Sequence, residues 1–284
     1  MIVVPAIAEM RDAIARARAT GARVGFVPTM GALHDGHLSL VRRARTDAQV
    51  VVMSIFVNPL QFGPAEDLSR YPRPVAKDDG LARDAGVDFL FRPGTAEMYS
   101  EDRAITVSGG DLASRWEGEV RPGHFEGVLT VVAKLFNIVQ PDFAVFGQKD
   151  LQQSALVKAM VRDLDMPLEI VLAPIVREHD GLAISSRNRY LAAADRNRAI
   201  LLHESLAAAK VAFDGGERNA RALETIGRQV LESDGVLHAD YFAIVNSATF
   251  EPVETVAWGA AAIVAARIGT TRLIDNMSFG DDEG

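Results

Sequence analysis

Apolar positions along the first 175 residues alternate between two textures. Ile7, Met10, Ile14 and Ala17 recur at helical spacing up to Gly21 and predict an amphipathic opening helix. Residues 24–27 form a short unbroken apolar run closed by Pro28, and residues 50–57 form a longer one. Runs of that length without alternation predict strands buried on both faces. Between them, residues 37–47 read as a helix with Leu38, Leu40 and Val41 inward. The pattern then predicts a helix over 77–85, a strand over 87–91 and a strand-like run at 104–107 that ends in Gly109-Gly110. Val128, Val131, Val132, Leu135 and Ile138 mark a well-patterned helix. A strand over 142–146, a helix over 151–164 and a strand over 168–175 complete this half.

Short apolar strands alternating with helices predict an α/β fold, a Rossmann-like doubly wound parallel sheet, over residues 1–175. Past Tyr190 the texture changes. Two alanine-rich helices, 192–213 and 219–231, are separated by Gly215-Gly216, and strands follow at 239–245 and 260–268. Residues 176–284 are therefore expected to form a smaller C-terminal α+β domain. No internal repeat or low-complexity segment interrupts either half.

Composition narrows the class. The chain of 284 residues is 48% hydrophobic and 24% charged, an ordinary globular balance that excludes disordered and fibrous classes. With no cysteine, disulfides, thiolate zinc sites and cysteine nucleophiles are ruled out. The net charge of −8 argues against binding nucleic acid through its phosphates. No apolar run approaches the ~20 residues that span a bilayer. The opening Met-Ile-Val-Val-Pro has no basic segment before it and meets Glu9 and Arg11 early, unlike a signal peptide. A cytoplasmic protein with neither membrane nor nucleic-acid partners is the expectation.

In an open parallel sheet, ligands bind beyond the carboxyl ends of the strands, so the residues after each expected strand are the first candidates. Pro28-Thr29-Met30-Gly31-Ala32-Leu33-His34-Asp35-Gly36-His37 follows the first run, and Asn58-Pro59-Leu60-Gln61-Phe62-Gly63 follows the second. Gly147-Gln148-Lys149-Asp150, with Gln152-Gln153, comes after Phe146. Val176-Arg177 and then Ile184-Ser185-Ser186-Arg187-Asn188 come after residue 175. These segments are expected to share one edge of the sheet.

His34 and His37, three residues apart at a helix opening, suit an anion, because free N–H groups and the positive end of the helix dipole converge there. Two solvated histidines or a zinc site are the alternatives, and no carboxylate is obviously placed to complete a metal shell. Lys149 can reach a nucleotide phosphate, while Asp150 suits either a helix cap or a ribose hydroxyl. Ser185-Ser186-Arg187 offers two hydroxyls and a guanidinium fork, a grip for polyphosphate that is also a common surface string. Gln61 and Gln153 suit the hydroxyls of a small polar substrate, or are structural amides. His124, before the helix over 128–138, is either another anion contact or a loop histidine.

Taken together, these segments resemble one family. His34-Asp35-Gly36-His37 matches the His-x-Gly-His signature of the nucleotidyltransferase superfamily. The wider set comprises residues 28–37, 56–62, Tyr71-Pro72-Arg73, 121–128, 146–150 with Gln153, 185–190 and Arg272-Leu273-Ile274-Asp275-Asn276. This set is similar, from end to end, to the pantothenate synthetase (pantoate–β-alanine ligase) family. The resemblance implies ATP-dependent ligation of (R)-pantoate to β-alanine through pantoyl adenylate, with Mg2+ carried on the nucleotide. It implies catalytic roles for His34, His37 and Lys149. Contacts to ATP fall to Met30, Gly31, His34, Gly36, His37, Gly147, Gln148, Lys149, Asp150, Val176, Ile184, Ser185, Ser186 and Arg187. Those to pantoate or β-alanine fall to Gln61 and Gln153, with Asn58 and His124 nearby. No protein metal ligand is implied. The resemblance also implies a homodimer and a C-terminal domain that closes over the site. One departure is Ile184, where the family usually carries methionine. Rival readings are an adenylyltransferase acting on a phosphorylated acceptor, a tRNA synthetase, and a nucleotide-binding regulator without catalysis.

Overall fold

A computed structural model describes residues 1–64 and 66–280. The first thirteen strands and α-helices run β1 (Ile2–Val4), α1 (Ile7–Ala19), β2 (Val24–Thr29), α2 (Asp35–Asp47), β3 (Val50–Ile55), α3 (Val75–Asp84), β4 (Phe89–Phe91), α4 (Thr95–Met98), α5 (Glu117–Val120), α6 (His124–Val139), β5 (Phe143–Gly147), α7 (Leu151–Asp163) and β6 (Glu169–Ala173). After them come α8 (Ala193–Arg198), α9 (Ile200–Asp214), α10 (Ala220–Leu231), β7 (His238–Asn246), β8 (Ala260–Ile268) and β9 (Thr271–Phe279). The chain forms two compact units, one of Met1–Gly147 with Leu156–Ala173, the other of Gln148–Ala155 with Pro174–Gly284.

The first unit is built on a six-stranded parallel sheet in the order β1-β4-β3-β2-β5-β6. Its strands are apolar throughout because both faces are covered. Phe26, Val52, Ala144 and Phe146 point into a core shared with Met10 and Ile14 of α1, most of α6, and Leu156, Val157 and Met160 of α7. Their neighbours Val27, Val51, Met53, Phe143 and Val145 point the other way, onto Leu40, Val41 and Ala44 of α2 and Ala82 of α3. Phe26 and Phe143 are fully buried, and each such side chain contributes about 1.5–3 kcal/mol. Gly25 makes room for one of them, since a Cβ there would lie 2.8 Å from Phe143 Cζ.

The second unit holds the antiparallel sheet β7-β8-β9. Ala262, Val264 and Ala266 of β8 pack with Leu202 and Leu206 of α9 and Leu223 of α10 in a separate core.

Several sequence expectations are corrected. Residues 104–107 form no strand: Ile105 is 77% exposed, and Val107 N–H donates instead to Thr130 Oγ1 at 3.0 Å. β2 does not stop at Pro28 but runs on to Thr29, level with Ile55 of β3. The helix expected over 192–213 is two helices that meet at Ala199. β1 and β9 were not anticipated. β1 has only three residues, and the apolar pattern of β9 is broken by Asp275 and Asn276, both buried.

Candidate functional site

β2 and β3 end level with each other, and the loop leaving β2 is tied down at every step. Thr29 Oγ1 donates to Ser54 O at 2.7 Å and accepts from Gly31 N–H at 3.1 Å. Gly31 sits at φ +84, where a Cβ would stand 2.9 Å from Ile55 Cγ2 and 3.0 Å from Asp78 Oδ2. Ala32 follows at φ +52, in the left-handed region that L residues seldom adopt. Asp78 of α3 holds this turn. Its carboxylate, 2% exposed, accepts from Ala32 N–H at 2.9 Å and Leu33 N–H at 2.8 Å.

The loop delivers His34 to the N-cap of α2, and its carbonyl accepts from His37 N–H at 2.8 Å. The two imidazole rings lie 4.1 Å apart between centroids. Gly36 permits this pairing, since a Cβ there would come within 3.0 Å of the His34 ring. Two imidazole rings beside the main-chain N–H groups of a helix start have the chemistry that suits an anion such as phosphate.

Beyond β3, Asn58, Gln61 and His124 form one hydrogen-bonded network. Asn58 caps a short 3-10 turn, Pro59–Gln61, by accepting from Leu60 N–H at 3.2 Å. Its Nδ2 donates to Gln61 Oε1 and Gly127 O, both at 3.0 Å. Gln61 Nε2 donates to Met30 Sδ at 3.2 Å, which brings in the loop after β2. α6 packs hard against the turn because residue 127 is glycine; a Cβ would fall 2.3 Å from Leu60 O. His124 opens α6, and its Nδ1 lies 2.9 Å from Gln61 O while its Nε2 lies 3.0 Å from Arg121 Nη1. Arginine only donates, so Nε2 accepts and Nδ1–H donates to the carbonyl. Burial first, and then the Arg121 cation, push the His124 pKa down to about 4. Arg121 is in turn gripped by both oxygens of Glu66, at 2.7 and 2.9 Å. Both ring nitrogens of His124 are thus engaged within the protein.

The second unit gathers the other candidates around β9. Gln148–Asp150 forms a 3-10 turn whose Gln148 and Lys149 carbonyls accept from Asn276 Nδ2 at 2.9 and 3.0 Å. Gln148 Nε2 donates to Ser278 Oγ at 3.0 Å. Asp275 pairs with Arg177 through two bonds, at 2.6 and 3.0 Å, and Arg177 also donates to Gly181 O at 3.0 Å. This braces a hairpin in which Ile184 N–H donates to Val176 O at 2.9 Å. Ser185 follows as the cap of the 3-10 turn Ser186–Tyr190, accepting from Arg187 N–H at 3.3 Å. Lys149, Gln153, Ser185, Ser186 and Arg187 are half-buried.

The structure therefore groups the candidates in two sets. Met30, Gly31, His34, Gly36, His37, Asn58, Gln61, His124 and Gly147, the last residue of β5, belong to the first unit, and Gln148, Lys149, Asp150, Gln153, Val176 and residues 184–187 to the second. Sequence reasoning missed Asp78, Tyr99 and Glu66 as supporting residues, named Arg177 only as a strand-end candidate, and left Asp275 and Asn276 within a motif without a role. Among the described residues, no cluster of three or more His, Asp or Glu could hold a metal ion, and no helix is long and apolar enough to cross a membrane.

The chain matches its relatives over nearly its whole length. The family model for pantoate-beta-alanine ligase matches residues 2–278. A pantothenate synthetase of Acidothermus cellulolyticus is 53% identical over 97% of this chain and 91% of that protein. The Caldicellulosiruptor saccharolyticus enzyme is 49% identical over 98% and 99%. The crystal structure of pantothenate synthetase from Thermus thermophilus superposes with a TM-score of 0.94 at 48% identity, covering 99% of this chain and all of that one. A pantoate-beta-alanine ligase from Francisella tularensis, solved with beta-gamma ATP and beta-alanine, gives 0.80 at 32% identity over 98% of each chain. With one family model matching residues 2–278 and relatives about half identical over nearly the whole chain, the chain belongs to the pantoate-beta-alanine ligase family.

Proposed function

We propose that this ligase joins (R)-pantoate to β-alanine in two steps on one ATP. A pantoate carboxylate oxygen attacks the α-phosphorus; the bond to the bridging oxygen breaks, and pyrophosphate leaves with that electron pair. The β-alanine amine then attacks the acyl carbon of pantoyl adenylate, AMP departs, and the amine loses a proton to give pantothenate. No covalent bond to the protein is needed, so catalysis is positioning plus charge stabilisation.

The observation that carries this reading is the His34–His37 pair at the start of α2, on a loop pinned by Asp78. In this reading both histidines, with Lys149, Ser185, Ser186 and Arg187, stabilise the charge of the transferring phosphates. Met30, Gly31, Gly36, Gly147, Gln148, Asp150, Val176 and Ile184 line the rest of the nucleotide, and Gln61 and Gln153 hold pantoate. Mg2+ enters as part of the Mg-ATP substrate, held chiefly by phosphates and water. The nucleotide and β-alanine bound by the Francisella tularensis relative support the same substrates here. The enzyme works in this reading as a cytoplasmic homodimer.

The test is pyrophosphate release from Mg-ATP with and without pantoate, before any β-alanine is added. A pantoate-dependent burst that turns into steady turnover on adding β-alanine is the expected result. Release only with a phosphorylated acceptor would overturn it.

A further inference from the structure

The main chain dictates the polarity of the amide network beside β3. The two ends of the Asn58 amide are alike in shape and opposite in chemistry. Its Oδ1 faces Leu60 N–H, which can only donate, and its Nδ2 faces Gly127 C=O, which can only accept. Turned over, the amide would set donor against donor and acceptor against acceptor, in a residue 1% exposed. Its orientation is therefore fixed. The second Oδ1 lone pair takes Tyr99 O–H at 2.9 Å, and the second Nδ2 hydrogen goes to Gln61 Oε1. Two bonds accepted and two donated exhaust the side chain, so Asn58 has nothing left to offer a ligand.

Gln61 inherits this polarity. Its Oε1 is turned to Asn58, and its Nε2 faces the other way, with one hydrogen directed to Met30 Sδ and one remaining. His124 holds the same residue by its carbonyl. Tyr99, immediately after α4, is braced for its part by Phe56 at 5.9 Å between ring centroids, with Lys134 over its own ring. Burial pushes its pKa up to about 12, so the hydroxyl keeps its proton.

We infer that Tyr99 is a positioning residue that locks Asn58, and through it presents Gln61 to the substrate as a hydrogen-bond donor. The ligand atom opposite Gln61 Nε2 is then an acceptor oxygen, of a carboxylate or hydroxyl, and not the ammonium of the amino-acid substrate. This rests on the ligase reading above and specifies the chemistry of its acid subsite.

Two variants of the full chain test it, with pantoate-dependent pyrophosphate release as the first readout. Tyr99→Phe removes one bond from Asn58 and is expected to raise the pantoate KM about tenfold, the size of one buried hydrogen bond, with ATP KM near wild type and Tm lowered by only a few degrees. Gln61→Glu keeps the shape but replaces the donor by an oxygen, and is expected to cut kcat/KM for pantoate by roughly 100-fold or more while sparing ATP KM. A pantoate KM close to wild type in either variant overturns the inference. The second readout needs no substrate. The side-chain amide hydrogens of Asn58 should exchange slowly by NMR in the wild type and faster in Tyr99→Phe. Fast exchange in the wild type overturns the network itself, whereas slow exchange without pantoate-dependent turnover faults only the ligase reading.

Discussion

Asp78 shows how much of a candidate site can rest on one buried side chain whose carboxylate serves only the main chain. Its two oxygens take two successive main-chain N–H groups at a turn where Gly31 and Ala32 both have positive φ. Asp78→Asn keeps the volume but points an NH2 at one of those donors. A loss of about 1–3 kcal/mol follows from the unmade bond, together with a drop in adenylation of about tenfold or more as the histidines lose their placement. Thermal melts and pyrophosphate release on the same preparation check both. His124 makes a prediction about pH. Its pKa falls from 6.5 in the unfolded chain to about 4 in the folded one, so between those values the unfolded chain binds the extra proton. The stabilisation is full above pH 6.5 and lost as the pH falls towards 4, by roughly 3 kcal/mol at most. In His124→Asn the acid-side slope of Tm against pH should be shallower by that contribution. At this scale the sequence made His34, His37 and Gln61 legible, because strand ends announce themselves by composition. Asp78 was not legible: within Lys77-Asp78-Asp79 it reads as a solvated helix-start acid, and only folding brings it to residues 32 and 33.

Among the elements, β2, β3 and β5 could be read directly, since a strand covered on both faces must be apolar at every position. β9 could not, and the reason lies in two of its side chains. Its Asp275 and Asn276 are buried polar groups that serve loops instead of the core, anchoring Arg177 and the carbonyls of Gln148 and Lys149. Asn276→Ala is accordingly expected to leave the sheet intact but to unfasten the lysine's turn. ATP KM should rise by up to about 30-fold, two such bonds of about 1 kcal/mol being lost, while pantoate KM stays near wild type. Steady-state kinetics with each substrate varied in turn would show whether the strand works through the nucleotide side. The run at 104–107 misled for the opposite reason, since its apolar residues lie on a segment whose main chain bonds to a side chain.

At the level of the whole molecule, the relatives at about half identity extend over both units, and neither unit alone contains all the proposed phosphate contacts. A chain ended at Ala173 would retain all six strands of the first sheet but no donor for the Gln148 and Lys149 carbonyls. It is expected to keep its far-UV signature of helix and parallel sheet and to lose pantoate-dependent pyrophosphate release; release at the wild-type rate would show that β9 is dispensable.

The polypeptide passes between the two units three times, at 147–148, 155–156 and 173–174. One of those excursions carries Lys149, and a strand more than a hundred residues later ties it down. A second unit stitched in this way cannot be moved between genes as a cassette by one cut: a cut at 147–148 carries residues 156–173, with β6, away from the first unit, and a cut at either later crossing separates the lysine's turn from its anchor. The two units are bound to be inherited, and to diverge, as one lineage.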